Sequence, residues 1–364
     1  MKGPRTLDAR TVVGSYVSVK QRMHRHMRVY RFDDLKSLDD LKIHEEEKPK
    51  PQRGELLLKV HAVSLNYRDL AIVLGRYVGA SKAGLIPASD AACEVISVGD
   101  GVTAYKPGDR VVTAFHPRWF GGRPPPSTAH DTYGSGSDGW LTEFKVVSQE
   151  AVVPLPATVS YDEGSTLPCA AVTAWTALSG LVPIRAGQTV LTLGTGGVSI
   201  FALQLAKALG ARVIATTSTA RKAEKLKALG ASDVVNYSEV PHWGKRVREL
   251  TGGLGVDCVV EVGGPATVNE SLRAVAWGGE VVLIGFLSED NPGIDYFHLK
   301  KSGAIVRSIG VGDRAALEDL VRVVSRTGLK PVIDSVFAFE DAKKTFAHLQ
   351  SANHIGKIVI RVQT

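Results

Sequence analysis

The chain has 364 residues, of which 44% are hydrophobic and 22% charged. That balance suits a folded chain of two or three domains and excludes a mainly disordered one. No apolar run approaches the roughly 18 residues that a membrane-spanning helix needs, so no membrane partner is expected. Three scattered cysteines (Cys93, Cys169, Cys258) exclude a disulfide framework and a four-cysteine zinc site. They fit a reducing compartment, and a cytoplasmic protein is expected.

The net charge is +7, but residues 1–26 carry six Lys or Arg against the single acid Asp8. The remainder is nearly balanced, so the basic pI is no footprint of nucleic acid, and no nucleic-acid partner is expected. Residues 1–26 read as a basic N-terminal extension. Val12–Val19 is short, interrupted, and followed by no small-residue cleavage site, which argues against a secretory signal. The composition is compatible with an organelle transit peptide. An extension or a misplaced start is the preferred reading, with Met23 and Met27 just ahead of the first strand.

That first strand begins at Met27–Tyr30. Leu56–Val63 is a second, after the turn Pro51-Gln-Arg-Gly54. Val95–Val98 and the run from Pro107 to Val112 are short strands joined by tight turns. Pro117–Gly139, rich in Gly, Pro and Ser, reads as a long surface loop. Residues 27–156 therefore form the first part of an irregular β-rich domain. The rhythm then changes. Strands at Val190–Gly194, Arg212–Ser218, Asp233–Tyr237, Val256–Val262, Glu280–Leu287 and Ala304–Gly310 alternate with helices. The helices are Val198–Leu209, Ala220–Leu229, Trp243–Leu250 and Ala266–Ala276. Alternation of this kind means βαβ units and a parallel sheet, and six strands make two mononucleotide-binding halves. Residues 157–312 are therefore expected to form a doubly wound α/β domain of Rossmann type. Residues 313–364 return to the β-rich domain, with helices at Ala315–Ser325 and Asp341–Leu349 and a last strand at Lys357–Val362.

The strongest local signal is Val190-Leu-Thr-Leu-Gly194-Thr195-Gly196-Gly197-Val198-Ser199, running from strand into helix. Gly194 permits the tight turn, and Gly196 lets backbone approach a pyrophosphate. The third position must be small for helix and strand to pack, and here it is Ser199 rather than Gly. The free N–H groups and dipole of the helix start suit phosphates. A nicotinamide dinucleotide is the expected cofactor. An NAD enzyme usually places an acid about 20 residues beyond the first Gly to hold the ribose 2′-OH. Ile214-Ala-Thr-Thr-Ser218-Thr-Ala-Arg221-Lys222 contains none, and its hydroxyls and cations suit a 2′-phosphate, so NADP is expected over NAD.

Further motifs carry a family resemblance. They are His61-Ala-Val-Ser-Leu-Asn66-Tyr67-Arg68-Asp69, Ile86-Pro-Ala-Ser89-Asp90, Gly108-Asp-Arg-Val, Leu167-Pro-Cys169-Ala-Ala-Val-Thr173, Val235-Asn-Tyr237, Glu261-Val-Gly-Gly264, Ile284-Gly285-Phe286 and Gly356-Lys357-Ile-Val. With the glycine turn, they resemble the medium-chain dehydrogenase/reductase superfamily, in its zinc-independent quinone-oxidoreductase-like and alcohol-dehydrogenase-like branch. The resemblance runs from about Met27 to Val362. It implies a GroES-like β-rich catalytic domain carrying a Rossmann domain, and a dimer or tetramer formed through the last Rossmann strand, about Ala304–Gly310, of which a homodimer is expected. It also implies an enzyme acting on a small-molecule substrate.

Zinc-using members hold their metal through Cys, a His-Glu pair and a later Cys or His. Asn66 stands at the first of those positions, Ser89-Asp90 at the pair, and Cys169 near the third, so no metal is expected. The resemblance places Thr173 beside the nicotinamide and Ser218, Lys222 and Tyr237 at the adenosine phosphate. Gly263, Ile284, Gly285 and Phe286 fall at the ends of two strands, and Asn353 and Lys357 on a returning segment that closes on the nicotinamide end.

Hydride transfer to a quinone, enone, aldehyde or ketone leaves negative charge on oxygen, which hydrogen-bond donors and a proton source must meet. Tyr67 is the expected donor or general acid, with a cleft-wall aromatic as the alternative. Asn66 could donate through its amide, Ser89 lies near, and Asp69 and Asp90 could relay protons. Asp69 could equally bind Arg68 or backbone. The competing activities are alcohol oxidation and non-catalytic NADPH binding.

Overall fold

The computed structural model describes residues 25–35, 37–77, 82, 84–129, 131–287 and 293–363. Residues 1–24, most of the expected N-terminal extension, lie outside the described residues. The described residues open with an antiparallel hairpin of β1 (His26–Phe32) and β2 (Leu41–Glu47). There follow β3 (Glu55–Leu65), β4 (Asp90–Val98), β5 (Arg110–Thr113), β6 (Phe144–Ser148) and β7 (Val152–Pro154). The next six are β8 (Thr189–Leu193), β9 (Arg212–Thr217), β10 (Asp233–Asn236), β11 (Val256–Glu261), β12 (Val275–Leu283) and β13 (Ile305–Ser308). The last two are β14 (Ile333–Ala338) and β15 (Lys357–Arg361).

Two large sheets result. The first runs β14-β15-β3-β4-β5-β7, with β6 paired to β3. The second runs β10-β9-β8-β11-β12-β13, and every pair in it is parallel. That is the order of a dinucleotide-binding sheet, whose direction of winding reverses between β8 and β11. Its central strands are rich in branched aliphatic residues: Val190, Leu191, Val213, Ile214, Val259 and Val260 are all buried, as strands covered by helices on both faces must be. The helices Gly197–Ala208 and Ala220–Ala228 cover part of it. The fold expected from the pattern, a Rossmann sheet inserted in a β-rich domain to which the C-terminus returns, is the observed one.

Several local readings need correction. The strand expected over Glu280–Leu287 ends at Leu283. There Gly285 crosses the end of β11 so closely that a Cβ on it would lie 2.0 Å from the Val262 carbonyl oxygen, and residues 284–287 turn over the sheet end. The helix expected to Ala276 stops at Ala274, because Val275 already pairs with Val256 in the sheet. The loop expected on the surface at Pro117–Gly139 is buried over Asp131–Ser135. Arg68 holds it there, donating to the Tyr133 carbonyl at 2.9 Å and to Thr132 Oγ1 at 3.0 Å. β2, β14 and the short helix Tyr67–Val73 are elements the pattern did not indicate.

Candidate active site

At the carboxyl ends of the parallel strands lies a cleft of about 460 Å³, walled on its other side by the helix start at Tyr67 and by residues near β15. A second cavity, between β7 and the helix Arg314–Thr327, touches none of the glycine turn. The cleft sits where a doubly wound sheet binds its ligand, at the reversal of winding.

The glycine turn forms its floor. Gly194 adopts a φ of 74°, the left-handed region that favours glycine. A Cβ on Gly196 would meet nothing within 4 Å among the described residues, so the backbone there is open to a close-approaching group. Gly197 is different: its Cβ would fall 2.7 Å from Lys357 Cδ, so the lysine stem lies over the first turn of the helix. Ser199 fits the third position because it is buried and its hydroxyl donates to the Leu193 carbonyl at 2.6 Å, joining helix to strand. Gly196 caps the helix without a side chain, leaving the first N–H groups facing the cleft.

Asn66, Tyr67, Gly194, Thr195, Gly196, Gly197, Val198, Ser199, Ser218, Lys222, Tyr237, Ile284, Gly285, Phe286 and Lys357 all line this cleft. Asp69, Ser89, Asp90, Thr173, Gly263 and Asn353 are not on its wall. Thr173 is buried and donates to the Cys169 carbonyl at 2.7 Å. Gly263 gives its N–H to Glu261 Oε1 at 2.8 Å, as Gly264 does at 3.0 Å. The Glu261 carboxylate thus shapes the turn that presents Val262 to the cleft. Sequence reasoning missed Leu65, Arg68, Leu287, Ala352 and His354, which also line it. His354 carries no motif signal beyond standing two residues before Gly356.

Behind the wall is a buried polar cluster. Lys357 Nζ donates to the Leu65 carbonyl at 2.6 Å and to Asn66 Oδ1 at 2.7 Å. Asn66 Nδ2 donates in turn to Asp90 Oδ2 at 2.9 Å and Ser89 Oγ at 3.3 Å. The Ser89 hydroxyl donates to Asp90 Oδ1 at 2.7 Å, and the Cys169 N–H to Asp90 Oδ2 at 3.2 Å. Both ends of the Asn66 amide are therefore engaged, and the residue orients its neighbours rather than offering a free donor. Burial pushes Asp90 above the usual carboxylate range and Lys357 below the usual lysine range, each opposed by the other's charge. Asp69 accepts the Asn66 N–H at 2.8 Å and lies 3.6 Å from Arg68 Nη1. Its Oδ1 has no hydrogen bond among the described residues, and burial lifts its pKa to about 6 against the pull of Arg68.

These groups do not fit a catalytic zinc, which needs three protein ligands and an open position. The Asn66 oxygen is held by an ammonium and Ser89 presents a hydroxyl, which leaves only Asp90 and Cys169.

Of the polar side chains of this turn that line the cleft, Asn66 and Arg68 are taken up by hydrogen bonds, and Tyr67 is half-buried with its ring edge-on to Phe286 at 5.9 Å. His116 and Trp119 pack against each other, centroids 5.4 Å apart, and are not on the cleft wall.

Comparison with known proteins agrees with this geometry. Residues 52–157 match the alcohol dehydrogenase GroES-like domain, and residues 197–326 match the zinc-binding dehydrogenase family. A zinc-type alcohol dehydrogenase-like protein of Schizosaccharomyces pombe is 37% identical over 91% of this chain and 97% of its own length. The quinone oxidoreductase of Rattus norvegicus is 28% identical over 93% and 98%. A crystal structure described as a candidate alcohol dehydrogenase from Sinorhizobium meliloti 1021 superposes with a TM-score of 0.87 at 39% identity, covering 93% of this chain and 99% of that one. An NAD-dependent alcohol dehydrogenase (29% identical, TM-score 0.85) and a mycobacterial protein complexed with NADPH (26%, 0.77) share the fold. With a dinucleotide cleft of this form and relatives of this kind along nearly its whole length, the chain belongs to the medium-chain dehydrogenase/reductase superfamily and is an NAD(P)H-dependent oxidoreductase.

Proposed function

We propose that the protein is a reductase that uses NADPH to reduce a quinone, enone, aldehyde or ketone without a catalytic metal, with Tyr67 as proton donor. The observation that carries this reading is that both ends of the Asn66 amide are engaged by Lys357 and Asp90, while the adjacent Tyr67 also lines the cleft. The reduced nicotinamide, when bound, supplies the hydride. Tyr67 would give its phenolic proton to the oxygen on which charge develops and regain one from solvent. Lys357, Asn66 and Asp90 hold the start of the helix that carries Tyr67, and Asp69 caps it. Phe286, edge-on to Tyr67, gives the acceptor an apolar wall.

The preference for NADPH is supported by the other end of the cleft. β9 runs out through Thr216 and Thr217 to Ser218 with no acid to hold a ribose hydroxyl, and Ser218, Lys222 and Tyr237 converge there. We also infer a homodimer through the edge of the parallel sheet. β13 ends that sheet, and Trp277 and Phe297 nearby are each 78% exposed.

The test is NADPH oxidation with a quinone or alkenal acceptor, with chelator present. Tyr67→Phe should lower turnover by about 100-fold or more, the usual range for losing a general acid. Unchanged turnover in the variant removes Tyr67 from the proton role, and loss of wild-type activity on chelation overturns the metal-free mechanism.

A further inference from the structure

We propose that His354 is a specificity residue for the cofactor: together with Lys222 and Tyr237 it forms the site for the 2′-phosphate, its ring donating a hydrogen bond to a phosphate oxygen. The proposal rests on the reading of a phosphorylated cofactor given above.

Residues 351–356 form a strap along one wall of the cleft. At the adenosine end, Lys222 Nζ donates to the Ala352 carbonyl at 2.9 Å and Arg221 Nη2 to the Asn353 carbonyl at 3.4 Å. At the other end, the Gly356 N–H donates to the Thr195 carbonyl at 2.9 Å, on the glycine turn itself. His354 lies between these anchors and faces the same cleft as Ser218, Lys222 and Tyr237.

Its ring is held but not satisfied. His354 Nδ1 is sealed from solvent and has no hydrogen-bond partner among the described residues. The polar groups beside it are already paired with one another. His348 Nε2 lies 2.9 Å from Asp334 Oδ2, and Asp334 Oδ1 takes the Ile355 N–H at 3.0 Å. A buried, unpartnered imidazole edge is uncommon, because polar groups removed from water normally find a partner.

Burial first, then the charges of Lys357, His348 and Lys222, lower the pKa of His354 to about 4 against the opposing pull of Asp334. The ring is then neutral near pH 7. A neutral imidazole has one N–H, and with Nδ1 sealed and unpartnered the hydrogen belongs on Nε2, where it is a donor. Lys222 donates to a carbonyl rather than a carboxylate, so its positive charge is left for an anion. A cation and a neutral donor, in a cleft that Tyr237 also lines, suit a phosphate monoester.

The proposal is tested with two nucleotide probes that differ only by that phosphate, 2′,5′-ADP and 5′-AMP, titrated calorimetrically into the wild type, Lys222→Ala, His354→Phe and His354→Gln. The wild type should bind 2′,5′-ADP more tightly than 5′-AMP. His354→Phe should weaken 2′,5′-ADP by about tenfold, the lower range for a hydrogen bond to a charged group, and leave 5′-AMP within about twofold. His354→Gln, which keeps an N–H donor, should recover most of the loss. Retained 5′-AMP binding shows that the cleft is intact in each variant. A wild type that does not distinguish the probes overturns the phosphorylated-cofactor reading and this assignment with it. A wild type that does distinguish them, with discrimination lost in Lys222→Ala but kept in His354→Phe, overturns the assignment of His354 alone. So does equal weakening of both probes by His354→Phe.

Discussion

Replacing Lys357 by Met keeps the stem that fills the space above Gly197 and removes only the buried ammonium. Two acceptors, the Leu65 carbonyl and Asn66 Oδ1, then lose donors at 2.6 and 2.7 Å. A buried acceptor left unsatisfied costs about 1–3 kcal/mol, and Asp90 also loses the cation that offsets its burial. The expected destabilisation is about 3–5 kcal/mol, in the range for removing one member of a buried charged cluster. Chemical denaturation followed by near-ultraviolet circular dichroism gives the midpoint shift. A double-mutant cycle with Asp90→Asn isolates the coupling, because a neutral amide in place of the carboxylate needs no counter-charge. The double variant should therefore be less destabilised than the sum of the singles by about 1 kcal/mol or more. A Lys357→Met loss below about 1 kcal/mol, or strict additivity with Asp90→Asn, would refute the view that Lys357 and Asp90 hold this wall as one unit.

Two further outcomes are expected. Asp69 has a folded pKa of about 6, above its ordinary 3.8, so its stabilising contribution is complete below about pH 3.8 and is lost as pH rises through about 6. Asp69→Asn keeps an acceptor for the Asn66 N–H and does not titrate. The stability of the wild type relative to the variant should therefore fall by about 3 kcal/mol from about pH 4 to about pH 8, and a difference that stays constant with pH counts against it. For the oligomer, the wild type should sediment as a dimer, and Ile305→Asp with Trp277→Ser should shift it to monomer. A monomeric wild type, or a double variant that remains dimeric, removes this edge as the interface.

Much of the dinucleotide cleft was legible because its signals are local. The glycine turn, the small residue at 199 and the alternation of six β-branched strands with short helices lie within a few residues of the features they determine. What was not legible depends on contacts across the chain. Asn66 reads as a free donor from its neighbours Tyr67 and Asp69. Its amide is instead fixed by Lys357, 291 residues away, and by Asp90. Asp131–Ser135 reads as surface from its Gly- and Ser-rich surroundings, but the Arg68 guanidinium draws it inward. β14 escaped notice because Ile333–Ala338 is half-buried on one face and exposed on the other, with weak apolar contrast. His354 left no trace, since its setting is made by Lys222 and the glycine turn rather than by adjacent residues.

The placement of β15 bears on how the protein is made. This strand is the neighbour of β3 in the sheet, yet nearly 300 residues separate the two along the chain, so a growing polypeptide cannot close that sheet until residue 361 has left the ribosome. The six parallel strands, by contrast, are all complete by Ser308, and they draw on no later strand for their pairing. Domains generally fold as units during synthesis, so the nucleotide half is ready early, whereas the wall carrying Tyr67 waits for β15 to emerge. Truncation just before Lys357 would therefore spare the parallel sheet while leaving Ala62–Leu65 of β3 without its partner, a short open edge able to template self-association.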